Sequence, residues 1–178
     1  MYFQDLGLCD YHSGPHDFKT WCSPLLSVGW LEHPHSYSTG PTPPALLYQL
    51  ESLIEKSWEH YPSFAFRGPY SCSFCVNGHS VGTRNTRSHE NLWIPGDGVI
   101  YLAPGMITHY IGDHEYRPPE CFIKAVLSCP DYGTPGYCAA LRAANAGKPP
   151  PLLTTKEVAE KWAAERAEML KRQTKNLS

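Results

Sequence analysis

Cys72-Ser73-Phe74-Cys75 is the most informative stretch of the chain. Two thiols with two residues between them can reach one tetrahedral ion from a single tight turn, because sulfur sits about 2.3 Å from zinc. Gly68 and Pro69 before the pair and Gly78 after it suit such a turn. No second Cys-x-x-Cys pair exists, so any further donors come from elsewhere in the chain, where histidine is abundant. His109 and His114 are the expected ones, with His35 and His79 as alternatives. His109 and Asp113 stand one helical turn apart on one face, which lets the carboxylate orient the imidazole. The expected metal ligands are therefore Cys72, Cys75, His109 and His114, and the expected ion is zinc. The plain alternative is two buried free thiols and a His109 bonded to backbone. A redox dithiol is disfavoured, since no helix start follows the pair to depress a thiol pKa.

Other signatures fail on inspection. A zinc deaminase needs His-x-Glu upstream of Pro-Cys-x-x-Cys, whereas His89-Glu90 lies downstream. Haem attachment needs His after the second cysteine, and Val76 stands there. Trp21-Cys22-Ser23-Pro24 lacks the second cysteine of a thioredoxin-type motif, and no GxSxG, Walker or GxGxxG loop is present. Cys9, Asp10, His12, His16 and Cys22 are ligand types at irregular spacing, read as an N-terminal loop packed on the core.

The elements that must position these groups follow from periodicity. Leu25–Leu31 reads as a buried strand, then a loop from Glu32 to Pro41. Pro43 and Pro44 open a helix with Leu46, Leu47, Leu50, Leu53, Ile54 and Trp58 on its apolar face, ending near His60. Phe64–Arg67 reads as a strand, and residues 76–90 as a loop. Asn91–Ile94 and Val99–Ala103 form a hairpin across Pro95-Gly96-Asp97-Gly98. Pro104 is expected to start a helix with Met106, Ile107, Tyr110 and Ile111 inward and His109 at the edge of that stripe. Pro118-Pro119 opens another, with Phe122, Ile123, Val126 and Leu127 inward, and a short Ala-rich helix spans roughly 136–145. The fold class is α+β: a small antiparallel sheet with three to four helices, plus a C-terminal tail helix.

Residues 1–146 are expected to form the domain, 147–153 a Pro-rich linker, and 154–178 the tail helix, capped by Thr154 and Glu157. The tail has a thin apolar stripe of Val158, Trp162 and Leu170, which suits packing on the domain or docking to a partner protein. At 178 residues the chain can bury a core without disulfides. It has 42% hydrophobic and 18% charged residues, which excludes a disordered polyampholyte. No apolar run approaches the roughly 20 residues of a membrane helix. A net charge of -2 disfavours non-specific nucleic-acid binding. Seven cysteines cannot all pair, and the N-terminus shows no secretory signal, so the expected setting is the reducing cytoplasm. Tyr2-Phe3-Gln4 is read as native sequence.

The order of motifs also resembles a family. Val28-Gly29-Trp30-Leu31, Arg67-Gly68 before Cys72-x-x-Cys75, Tyr101-x-Ala103-Pro104 before His109-Tyr110, and His114-x-Tyr116-x-Pro118-Pro119 are similar, in that order, to a family of small uncharacterised bacterial proteins over roughly residues 2–130. The resemblance implies bacterial origin and a single domain, and points to Cys72, Cys75, His35, His109 and His114. Two functions are carried forward. One is a zinc-binding domain with a structural metal acting through protein association, as an accessory or immunity-type factor. The other is a metal-dependent enzyme with a Cys/His site.

Overall fold

The computed structural model describes residues 2–9, 21–60, 70–75, 86–88 and 90–148. The Phe64–Arg67 strand and the 154–178 tail helix expected from sequence lie outside these residues. The centre of the fold is a three-stranded sheet of β1 (Leu25–Ser27), β4 (Asn91–Pro95) and β5 (Ile100–Pro104) in the order β1-β5-β4. The β4–β5 hairpin is antiparallel, with Trp93 opposite Leu102. Strand β1 joins β5 in parallel, with Leu26 opposite Tyr101, so the sheet is mixed rather than wholly antiparallel. Around it lie helices α1 (Pro44–His60), α2 (Ile107–Asp113), α3 (Glu120–Ser128) and α4 (Pro135–Ala144). A two-stranded ribbon, β2 (Tyr70–Ser71) with β3 (Arg87–Ser88), completes the described elements. The molecule is an α+β fold, as the patterning indicates.

Strand β1 stops short of the expected Leu31 because Gly29 turns the chain with φ 74°. A Cβ at Gly29 would lie 2.8 Å from Ile107 Cδ1, so only glycine admits this close approach of β1's end to the start of α2. Both sheet edges are covered. Along β1, Leu6 N–H donates to Ser27 O and Cys9 N–H to Leu25 O at 2.8 and 2.9 Å. Along β4, Tyr132 OH accepts from Trp93 N–H at 2.8 Å and Tyr137 OH donates to Trp93 O at 2.7 Å. An edge closed in this way offers no template for pairing with another chain.

Helices α1, α3 and α4 start at or directly after a proline. Pro119 caps α3 and Thr134 caps α4, its hydroxyl accepting from Tyr137 N–H at 3.2 Å. Leu46, Leu50 and Leu53 of α1, Phe122, Ile123 and Val126 of α3, and Leu141 of α4 are buried together with Trp30, Leu92 and Leu102. Leu127, expected inward, is 43% exposed. Pro104 ends β5 instead of opening a helix, and α2 begins at Ile107 after a two-residue turn. A proline fits either position, since both tolerate its fixed φ and its missing N–H. The N-terminal residues belong to the fold: Phe3 meets Trp30 edge-on at 5.5 Å and Tyr2 stacks on His35 at 3.7 Å.

Candidate metal centre

Cys72 follows directly on β2, and its N–H donates to Thr86 O at 2.9 Å, so the ribbon fixes the start of the Cys72–Cys75 turn. Ser73 Oγ accepts from His33 N–H at 2.9 Å. Phe74, between the two cysteines, packs against Tyr37, Tyr110 and His114 with ring centroids 5.3, 6.2 and 5.6 Å away. These contacts lay the turn across the C-terminal half of α2, where His109 sits within the helix and His114 caps it.

Beyond His114, Glu115 adopts φ 54°, a left-handed conformation that side chains rarely take. The reversal lets Tyr116 N–H return to Tyr110 O at 3.0 Å. Tyr116 OH then donates to Asp5 Oδ2 at 2.8 Å, while Asp5 Oδ1 accepts from Gly29 N–H at 2.9 Å. The backbone carrying His114 is thereby tied to the N-terminal segment and to the end of β1. Tyr37 OH adds a bond to His114 O at 3.4 Å.

The result is a four-residue cluster. One donor atom from each of Cys72, Cys75, His109 and His114 lies within 4.8 Å of all the others. Cys75 Sγ is 3.3 Å from His109 Nε2 and 3.4 Å from His114 Nε2. Cys72 Sγ is 3.4 Å from His114 Nε2, and the two Nε2 atoms are 3.1 Å apart. A tetrahedral ion with the bond lengths of zinc spaces such donors about 3.3–3.8 Å apart. Four of the six donor pairs thus stand at that spacing or a few tenths of an ångström inside it, and the other two lie within 4.8 Å. The chemistry of the set, two thiols and two imidazoles, suits zinc and other borderline-soft ions.

His109 Nδ1 lies 2.8 Å from Asp113 Oδ2. A carboxylate can only accept, so Nδ1 carries a proton and the lone pair of the neutral ring is on Nε2, facing the thiols. His109 is fully buried rather than at the edge of the apolar stripe, because the Cys72–Cys75 turn covers that side of α2. Electrostatics within the cluster follow from proximity. Burial pushes the Cys72 thiol up, but His109 and the amides of Phe74 and Cys75 outweigh it and leave its pKa below the ordinary value. Burial and the neighbouring Cys72 push Cys75 up to about 11. Burial lowers His109, yet its bonds to Cys72 and Asp113 carry it above the usual imidazole value. Burial, then the charge of His109, lowers His114. A divalent ion would replace this sharing of protons, since its ligands bind as thiolates and neutral rings.

All four expected ligands are in the cluster, and neither alternative histidine is shown there. His35 stacks on Tyr2, and His79 lies outside the described residues. Cys9 is buried beside β1, and Cys22 N–H donates to Asn145 Oδ1 at 2.7 Å. Asp10, His12 and His16 lie outside the described residues. None of the seven cysteines is in a disulfide. Three clefts of about 530, 490 and 260 Å³ are lined by other residues. Among the described residues no helix is long and apolar enough to cross a membrane. Three supports had no sequence signal: the Asp5–Tyr116 tie, the Ser73 bond to His33 and the left-handed Glu115. Each depends on which distant segments meet.

Fold and site together define a small α+β domain with a partly buried two-thiol, two-imidazole cluster able to hold a metal ion. Residues 1–127 match the family described as a domain of unknown function (DUF7919), and the chain belongs to that family. No curated protein and no solved structure matches it.

Proposed function

We propose that this chain is a zinc-binding domain whose metal is structural, and that it acts through protein association as an accessory or immunity-type factor. The observation that carries this is the convergence of four protein donors within 4.8 Å of one another. A structural zinc site is closed by four protein ligands, whereas a catalytic one keeps a position for water or substrate. The ion would fasten the Cys72–Cys75 turn to α2, joining two segments that β4 and β5 separate in sequence. A partner protein would engage the tail helix read from residues 154–178. A bacterial, cytoplasmic setting is supported by the motif resemblance and by seven cysteines outside any disulfide.

The test is native mass spectrometry of the full chain with an absorption spectrum at the metal edge. The reading expects about one zinc per chain, with two sulfur and two nitrogen neighbours. Folded protein that takes up no zinc overturns the metal reading. A bound water in place of one protein donor overturns the structural role and favours the metal-dependent enzyme.

A further inference from the structure

The two sulfurs of the cluster belong to one turn and differ in access. Cys72 is 7% exposed, while Cys75 is only half-buried. Both lie in a set whose donor atoms are all within 4.8 Å of one another, and the Cys-x-x-Cys spacing lets them close on each other without backbone rearrangement elsewhere. The other described half of the cluster, His109 and His114, contributes no sulfur. An ion there would be held by two groups that oxidation removes as a pair and two that it leaves.

We infer that the centre is a redox-releasable clamp, opened by a peroxide-class oxidant and closed by a dithiol reductant with zinc; this rests on the zinc reading above. The Cys75 thiolate, the more accessible sulfur, attacks one oxygen of hydrogen peroxide. The O–O bond breaks, the departing hydroxide is protonated to water, and Cys75 becomes a sulfenic acid. The Cys72 thiolate attacks Cys75 Sγ, forming the S–S bond and expelling hydroxide, which is protonated to a second water. The two sulfurs lose two electrons and the peroxide gains them. With both thiolates consumed, two imidazoles are too few to retain the ion, and it leaves as the divalent cation. A dithiol reductant reverses the exchange, forming its own disulfide.

The structural consequence is local. The turn loses its tie through the metal to His109 and His114 but keeps Phe74 on Tyr110 of α2 and the Ser73 bond to His33. The sheet, α1, α3 and α4 do not pass through the cluster. Opening therefore loosens residues 72–75 and leaves the core in place. The metal acts as a latch for that turn.

The experiment uses the full chain carrying Cys22→Ser, Cys121→Ser and Cys138→Ser, which removes the three exposed thiols. The protein is first titrated with zinc, then zinc-loaded protein is treated with hydrogen peroxide. Released zinc is followed with a chromophoric chelator, disulfides are mapped by mass spectrometry, and amide exchange is compared at residues 72–75 and in β4–β5. The expected result is release of about one zinc per chain, a single Cys72–Cys75 disulfide, and faster exchange confined to the turn. Dithiothreitol with zinc should restore the starting state. Zinc retained with both thiols intact overturns the clamp, as does zinc loss with irreversible sulfinic acid and no disulfide. A chain that takes up no zinc in the first titration overturns the metal reading and the clamp with it, and does so before any oxidant is added.

Discussion

Replacing Asp113 tests the centre without touching a ligand. Asp113 Oδ2 accepts from His109 Nδ1 at 2.8 Å, with the two side chains 8% and 0% exposed, so water screens the bond little. The carboxylate fixes which nitrogen bears the proton, aims Nε2 at the thiols, and raises its basicity. Loss of such an outer partner costs about 10–100-fold in metal affinity, about 1.4–2.8 kcal/mol. The burial of this pair places Asp113→Ala in the upper half of that range, about 30–100-fold. Asp113→Asn keeps an acceptor for Nδ1–H but loses the charge that strengthens the bond, and is expected to cost about 3–10-fold. His109→Ala removes a donor and should cost more than either. The assay is competition for zinc against a chromophoric chelator at neutral pH, with a melt of each variant to show that it folds. If Asp113→Ala binds zinc within about twofold of the parent, far below the range for a working outer partner, then His109 is not held as a ligand and the centre is misassigned.

Stripping the ion should destabilise the domain: zinc at about a thousand times its Kd contributes about 4 kcal/mol, or about 8–16 °C in Tm for a chain of this size, and a melt unmoved by chelator would contradict it. Removing the tail after Lys148 should leave a cooperative melt, because α4 packs on β4 and Lys148 closes the last hydrogen bonds to Asn145. A truncated protein without a cooperative transition would show that the tail belongs to the core. Burial raises the Asp5 carboxyl above its ordinary value, against the bonds from Gly29 and Tyr116. Folding therefore favours its protonated form; that contribution is complete below the unfolded value of about 3.9 and is lost as pH climbs through the higher folded value. Metal-free parent protein should lose stability relative to Asp5→Asn across that window, and a pH-independent difference between their denaturant midpoints would refute it.

Much of the fold was legible because it is local. The α1 stripe, the β4–β5 hairpin, the proline start of α3 and the Ala-rich run of α4 each depend on neighbours within a turn or two. Where two local solutions fit one residue, sequence could not choose. Pro104 suits a helix start and a strand end alike, and packing of Met106 and Ile107 into the core settles it. Non-local pairing left no trace: the parallel register of Leu25 with Ile100 joins segments separated by α1, the ribbon and β4. Leu127 was misplaced because α3 is only nine residues long, and its buried stripe is narrower than its apolar composition.

The centre divides along the same line. Cys72 and Cys75 lie within one turn, and His109, Asp113 and His114 within another, so each half carried its own signal in residue type and spacing. What brings the halves together is carried by neither. Phe74 wedges between Tyr37 and Tyr110, Ser73 holds His33, and the left-handed Glu115 swings Tyr116 onto Asp5. These contacts prepay part of the entropy of closing the chain between the two halves. An ion meeting a preassembled set of donors spends less of its binding free energy on ordering the chain. The aromatic packing of Phe74 is thus coupled to metal affinity although the ring offers no donor, and the two halves bind as one site only because that packing holds them at ligand distance.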